Sequence, residues 1–164
     1  MVERAGATSM VVQRRRALGA SPRGALVALL SLVLAALLGT ACSLGAPERV
    51  IVTLDGVEVI AEVADQAAER AHGLQDHEPL EPGEGMLFIF EDSAPRTFAM
   101  KEVAFPIDVV FIDDDLIVRA IEPLDPGDER LVTSPCPCAY VLELPQGWAA
   151  SRDIGPGSAF GPPR

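Results

Sequence analysis

The chain is short of the residues that small-protein chemistry leans on. Its 164 residues include three Cys and two His, which argues against a multi-disulfide scaffold or a zinc finger. Aromatic residues make up 5%, with one Trp and one Tyr, and 13 Lys+Arg face 24 Asp+Glu, a net charge of −11. A chain that acidic repels a phosphate backbone, so nucleic acid is not an expected partner. There is no internal repeat, no phosphate-cradling glycine loop, and no Ser or Cys in a nucleophile-elbow or papain-like context. No residue stands out as catalytic, and no cofactor or metal is implied. Enzyme status is open, with the balance toward a non-enzyme.

What is present is unevenly distributed. Mean hydropathy is +0.26 despite the acidity, because two different segments are averaged. Five of the 13 basic residues (Arg4, Arg14, Arg15, Arg16, Arg23) and one acid (Glu3) precede Cys42, and an uncharged, mostly apolar run spans Gly24 to Ala41. A basic segment, an apolar core and small residues in that order read as a secretory signal. The core, Ala25 to Leu38, is interrupted only by Ser31 and is shorter than the roughly 20 residues that cross a bilayer.

The junction Leu38-Gly39-Thr40-Ala41-Cys42 resembles the lipobox of bacterial lipoproteins, with Gly39 where that pattern most often has Leu. The resemblance implies that residues 1–41 are a lipoprotein-type signal peptide. It also implies that Cys42 becomes the lipidated N-terminus, carrying palmitate-type chains that tether the protein to a membrane. Ordinary cleavage near Ala41 and an uncleaved anchor are the alternatives. Without residues 1–41 the chain keeps 8 Lys+Arg and 23 Asp+Glu, a net of −15.

Residues 42–49 read as a short polar tether. Beyond it, Val50–Leu54 and Val57–Val63 flank Asp55-Gly56, a hairpin signal. In the second run Val57, Val59, Ala61 and Val63 alternate with Glu58 and Glu62. Asp65 is a candidate cap for a helix from Gln66 to about His72, with Gly73 as its stop. A Pro-containing loop, Gln75–Gly85, precedes strand candidates Met86–Phe90, Arg96–Lys101 and Ile107–Ile112. Asp113, Asp114 and Asp115 occupy a turn before Leu116–Ile121, and the long loop Glu122–Pro137 leads to a last strand, Ala139–Leu144. Gln146–Asp153 reads as a helical turn holding Trp148, and residues 158–164 as a loose tail. The expected fold is mainly β (α+β), a compact antiparallel β-rich sheet or partly closed barrel with one or two short helices, over residues 50–157.

The order of motifs resembles a known family. Glu69-Arg70-Ala71-His72-Gly73-Leu74, Gly85-Met86-Leu87-Phe88-Ile89-Phe90, Phe98-Ala99-Met100-Lys101, Phe105 to Asp113, and Tyr140-Val141-Leu142-Glu143-Leu144 with Gly147 are similar to the domain of unknown function 192 family, also called uncharacterised protein family 0127. The resemblance implies a compact β-rich fold, often exported or lipid-anchored, with no established activity. The family's Phe-Trp-Met-Lys-Asn-Thr reads here Phe98-Ala99-Met100-Lys101-Glu102-Val103, so an aromatic wall and two hydrogen-bonding groups are replaced, while Lys101 and Asp108 are retained.

On adjacent strand candidates, Lys101 and Asp108 beside Phe98, Met100 and Phe105 form a candidate ligand site. The competing reading is a cross-strand ion pair worth about 1 kcal/mol at most. Three consecutive acids at 113–115 suggest Ca²⁺ less readily than a solvated turn, because they cannot all face one ion from an extended strand. Cys136 and Cys138 are open to a loop disulfide, free thiols or a metal or redox role, and His72 and His77 read as incidental. The functional expectation is an exported, membrane-anchored domain on the extracytoplasmic face of the cell envelope, binding a small molecule or an envelope protein. The alternative is an extracytoplasmic enzyme using acids such as Asp108.

Overall fold

The computed structural model describes residues 47–163; the expected signal, Cys42 and the first part of the tether lie outside them. The chain order is β1 (Arg49–Leu54), β2 (Val57–Ala64), α1 (Ala67–His72), β3 (Glu84–Ala94), β4 (Thr97–Phe98), β5 (Ile107–Ile112), β6 (Val118–Leu124), β7 (Val132–Thr133), β8 (Cys138–Pro145) and β9 (Phe160–Gly161). A seven-stranded sheet runs β6-β5-β8-β3-β2-β1-β9, and β4 pairs with β7 separately. The protein is β-rich, as expected; among the described residues helix is confined to α1 and a 3-10 turn at Ala150–Arg152.

The β1–β2 hairpin turns where Asp-Gly predicts it. Asp55 (φ 48°) and Gly56 (φ 82°) both take the positive φ that a two-residue turn of this hand requires. The sheet is mixed rather than wholly antiparallel, because β2 and β3 run parallel with Ala61 opposite Gly85. The connection through α1 makes this geometry available, since parallel neighbours need a crossover. Gly85 has a second reason to be glycine: a Cβ there would lie 2.7 Å from the Glu143 carbonyl oxygen.

Two local expectations change. The first turn of α1 is closed by Glu69 Oε2, which accepts the Gln66 amide at 3.0 Å, so Gln66 rather than Asp65 is the cap. The strand expected over Arg96–Lys101 shrinks to Thr97–Phe98 and leaves the main sheet. Beyond it Glu102 turns the chain with a φ of 58°, and Met100, Val103 and Phe105 are buried.

The tail is not loose. Phe160 lies opposite Leu54 of β1, the Phe160 amide donates to Leu116 O at 2.7 Å, and Gly157 and Ser158 exchange hydrogen bonds with Val118. Residues 157–161 thus join the two edges, β1 and β6, and curl the sheet into a half-barrel. The driving force is burial of the Phe160 ring, 4% exposed, on a strand edge that would otherwise be unpaired.

Alternation along the strands sorts the apolar residues into two clusters on opposite faces. One holds Val52, Leu54, Val110, Ile112, Leu142, Leu144, Trp148 and Phe160; the other holds Met86, Phe88, Met100, Phe105, Val109, Phe111 and Val141. Strand β5 is buried along both faces.

Candidate functional site

On the second face, a cleft of about 580 Å³ opens between the end of α1, strand β3 and the segment from Pro95 to Val103. Each element contributes for a local reason. Helix α1 brings Arg70, whose guanidinium is anchored by Ile89 O at 3.0 Å and by Asp65 O. Strand β3 brings Phe88 and Phe90. The segment around β4 brings Arg96, Phe98, Ala99 and Lys101.

The aromatic wall is ordered. Phe88 and Phe98 pack edge to face with centroids 5.0 Å apart. The Arg96 guanidinium lies 3.8 Å from the Phe90 ring centroid, with Arg70 over the same ring at 5.2 Å. Arg96 also donates to Cys138 O at 3.0 Å and pairs with Asp92 at 2.8 Å. Lys101 is exposed and makes no ion pair among the described residues.

Glu143 also lines this cleft. It sits on β8, opposite Met86 of β3 and Val109 of β5; its residue is 6% exposed, and its side chain makes no hydrogen bond among the described residues. A carboxylate largely withdrawn from water and given no hydrogen bond by the protein is costly. Burial pushes its pKa from 4.5 up to about 8, so the group is largely neutral at pH 7 and presents an O–H donor. Sequence reasoning passed over it, although it is the single acid in the run Tyr140–Leu144 and shares the face of Val141.

The expected site residues divide. Phe98 and Lys101 line the cleft; Met100 and Phe105 are buried in the cluster beneath. Asp108 does not join them. It lies opposite Leu144 and alternates with Val109, so it belongs to the first face. There its Oδ2 accepts the Gly147 amide at 2.8 Å. Burial raises its pKa and the Gly147 hydrogen bond opposes the rise. Lys101 and Asp108 are not on adjacent strands, because the strand expected at Lys101 does not extend that far.

Asp113 is 9% exposed and organises the 113–117 turn. Its carboxylate accepts Asp115 N at 3.1 Å, Ile117 N at 2.9 Å and the Arg119 guanidinium. Burial would raise its pKa, but these donors outweigh it and hold the group below the usual value. Its oxygens are committed to the turn rather than to an ion. His72 and His77 border a neighbouring groove with Glu62, Asp65 and Glu69. Among the described residues no His/Cys/Asp/Glu group has the geometry to hold a metal, and no helix is long and apolar enough to cross a membrane. Cys136 and Cys138 are thiols with Sγ atoms 3.8 Å apart. Burial, and then the Cys136 neighbour, push the Cys138 thiol up to about 11.

A family model described as DUF192, Uncharacterized ACR, matches residues 50–161. Two solved structures are similar. One is a candidate transcription regulator from Sinorhizobium meliloti 1021, 31% identical, covering 71% of this chain and 95% of its own, with a TM-score of 0.66. The other is a protein of unknown function from Novosphingobium aromaticivorans DSM 12444, also 31% identical, covering 74% of this chain and 96% of its own, with a TM-score of 0.64. No curated protein matches.

Proposed function

The chain belongs to the DUF192 family of uncharacterised proteins, and on that premise we propose that it is a non-enzymatic binding module of the cell envelope, lipid-anchored through Cys42 on the extracytoplasmic side. The ligand enters the cleft between α1, β3 and the β4 segment. The observation that supports this reading most directly is Glu143: a buried carboxyl with no hydrogen-bond partner among the described residues, set in the wall of an open cleft, is a polar group awaiting one from outside. The lipobox-like junction before Cys42 supports the anchor, since two or more acyl chains hold a protein to a bilayer where one is marginal.

An enzymatic reading keeps one supporting observation. Glu143, with a pKa of about 8, is poised as a general acid near neutral pH, a better candidate than Asp108, whose carboxylate is engaged by Gly147. His72 and Lys101 also line the cleft, but among the described residues neither is hydrogen-bonded or ion-paired to Glu143, which favours binding over turnover. The regulator description of the Sinorhizobium protein is not carried over, because residues 42–164 carry a net charge of −15 and DNA binding rests on phosphate neutralisation.

Two measurements test the proposal. Replacing Cys42 by Ser is expected to release the protein from membranes and abolish palmitate labelling; membrane retention with labelling intact overturns the anchor. Purification of the lipidated protein followed by mass spectrometry of co-purifying small molecules is expected to yield a ligand that Glu143→Ala or Ala99→Trp loses. A ligand retained by both variants places binding elsewhere.

A further inference from the structure

We propose that the cleft takes a small organic monoanion, an apolar body ending in a single carboxylate, with the carboxylate held by Lys101 in the field of Arg70 and Arg96, which line the same cleft, and the body lying against Phe88, Phe98 and Ala99. This rests on the binding reading above and adds the chemistry of the ligand.

The sign of the cleft is opposite to that of the domain. Of the eight Lys+Arg that follow Cys42, three line it, among them the chain's only lysine, whereas of the 23 acids only Glu143 does. On an acidic surface, a concave site walled by low-dielectric side chains and edged by Lys101, Arg70 and Arg96, the last partly offset by Asp92, focuses a positive field that draws anions inward. Glu143 does not cancel that field, because burial leaves it protonated near neutral pH. It adds a hydrogen-bond donor to the lining instead.

The arginines set the charge of the ligand. Arg70 already donates to Ile89 O and Asp65 O, and Arg96 donates to Cys138 O and to Asp92. Much of their donor capacity is spent within the protein, and they contribute field rather than a bidentate clamp. Of the three, Lys101 is the cation with neither a hydrogen bond nor an ion pair among the described residues, whereas Arg70 is engaged by backbone carbonyls and Arg96 by Asp92. One compact ammonium suits one carboxylate better than a phosphate dianion, which needs several free donors. The apolar share of the lining, with the short side chain of Ala99 leaving space beside the edge-to-face Phe88 and Phe98, accommodates a ring or short hydrocarbon body.

The test is calorimetric titration of the full-length lipidated protein in detergent at pH 7, using phenylacetate, phenylacetamide, 2-phenylethylammonium and benzylphosphonate as probes of near-equal shape. Phenylacetate is expected to bind best, with the amide weaker by about tenfold or more, the amount a lost charge-assisted contact represents. Lys101→Met should remove that preference without weakening the amide further, and Ala99→Trp should remove binding of both by filling the cleft. Phenylacetate binding should weaken as pH rises through about 8 and become flat in Glu143→Gln. If the amide, the ammonium or the phosphonate binds better than phenylacetate and Ala99→Trp abolishes it, the cleft is a binding site but the monoanion assignment falls. If none of the four binds at millimolar concentration, the monoanion assignment and the cleft reading both fall.

Discussion

Asp108 Oδ2 accepts the backbone amide of Gly147 at 2.8 Å, tying the centre of the sheet to the turn that follows β8. The sequence offered Asp108 as half of a ligand site, and the structure gives it this turn on the opposite face instead. Asp108→Ala should leave the Gly147 amide without its partner and cost about 1–3 kcal/mol in denaturant unfolding. Asp108→Asn should cost less, because its amide oxygen still accepts. Phenylacetate affinity should be unchanged in either variant; a selective loss with the fold intact would return Asp108 to the site.

Glu143 predicts an inverted pH dependence. Its native pKa of about 8 stands above the ordinary 4.5, so between these values the native state holds a proton that the unfolded chain releases. The stability it contributes is fully present below about pH 4.5 and falls toward pH 8, by up to about 1.4 kcal/mol per pH unit. Glu143→Gln should flatten that decline. Guanidinium midpoints collected for both proteins across the range would show it, and parallel slopes would assign the decline to other groups.

Phe160 closes the half-barrel. Phe160→Ala should cost about 3–5 kcal/mol, the usual toll of a buried phenylalanine. Removal of residues 157–164 should do more, exposing the free edge of β1 and promoting association. Thermal unfolding and size-exclusion chromatography distinguish this from a dispensable tail, for which both profiles would match the parent.

Cys138 should behave as an inert thiol. With its pKa at about 11, the thiolate is roughly one part in a thousand at pH 8. Iodoacetamide should therefore modify the half-buried Cys136 first and reach Cys138 only on unfolding. Intact mass under non-reducing conditions settles the pair in the purified protein: a two-hydrogen deficit means a disulfide, and its absence with one ready alkylation means the thiols persist.

Much of the fold was legible because it depends on near neighbours in sequence. Asp55-Gly56 between two β-rich runs specified its hairpin, and the run of β5, apolar except for Asp108, marked a strand. The Asp113 turn was readable from its side chain's reach to amides two and four residues ahead. Period-2 alternation does not encode direction, so the parallel β2–β3 pair was not readable. The tail was misjudged from its Gly/Pro content, although one buried aromatic and a few backbone hydrogen bonds were enough to order it. Glu143 was visible as a lone acid in an apolar strand, but the same could be said of Asp108, and nothing local separates the acid beside a cleft from the acid beneath a turn.

By itself the sequence determined the strand periods, the turn positions, the family motifs and the acidic balance, all properties carried by residues within a few positions of one another. Only the tertiary structure decided that residues 157–161 join the edges of the sheet, and that Arg70, Arg96 and Lys101 line one cleft with Glu143. Those relationships depend on partners tens of residues away, and burial, which fixes the charge state of a carboxyl, belongs to the packed neighbours rather than to the residue.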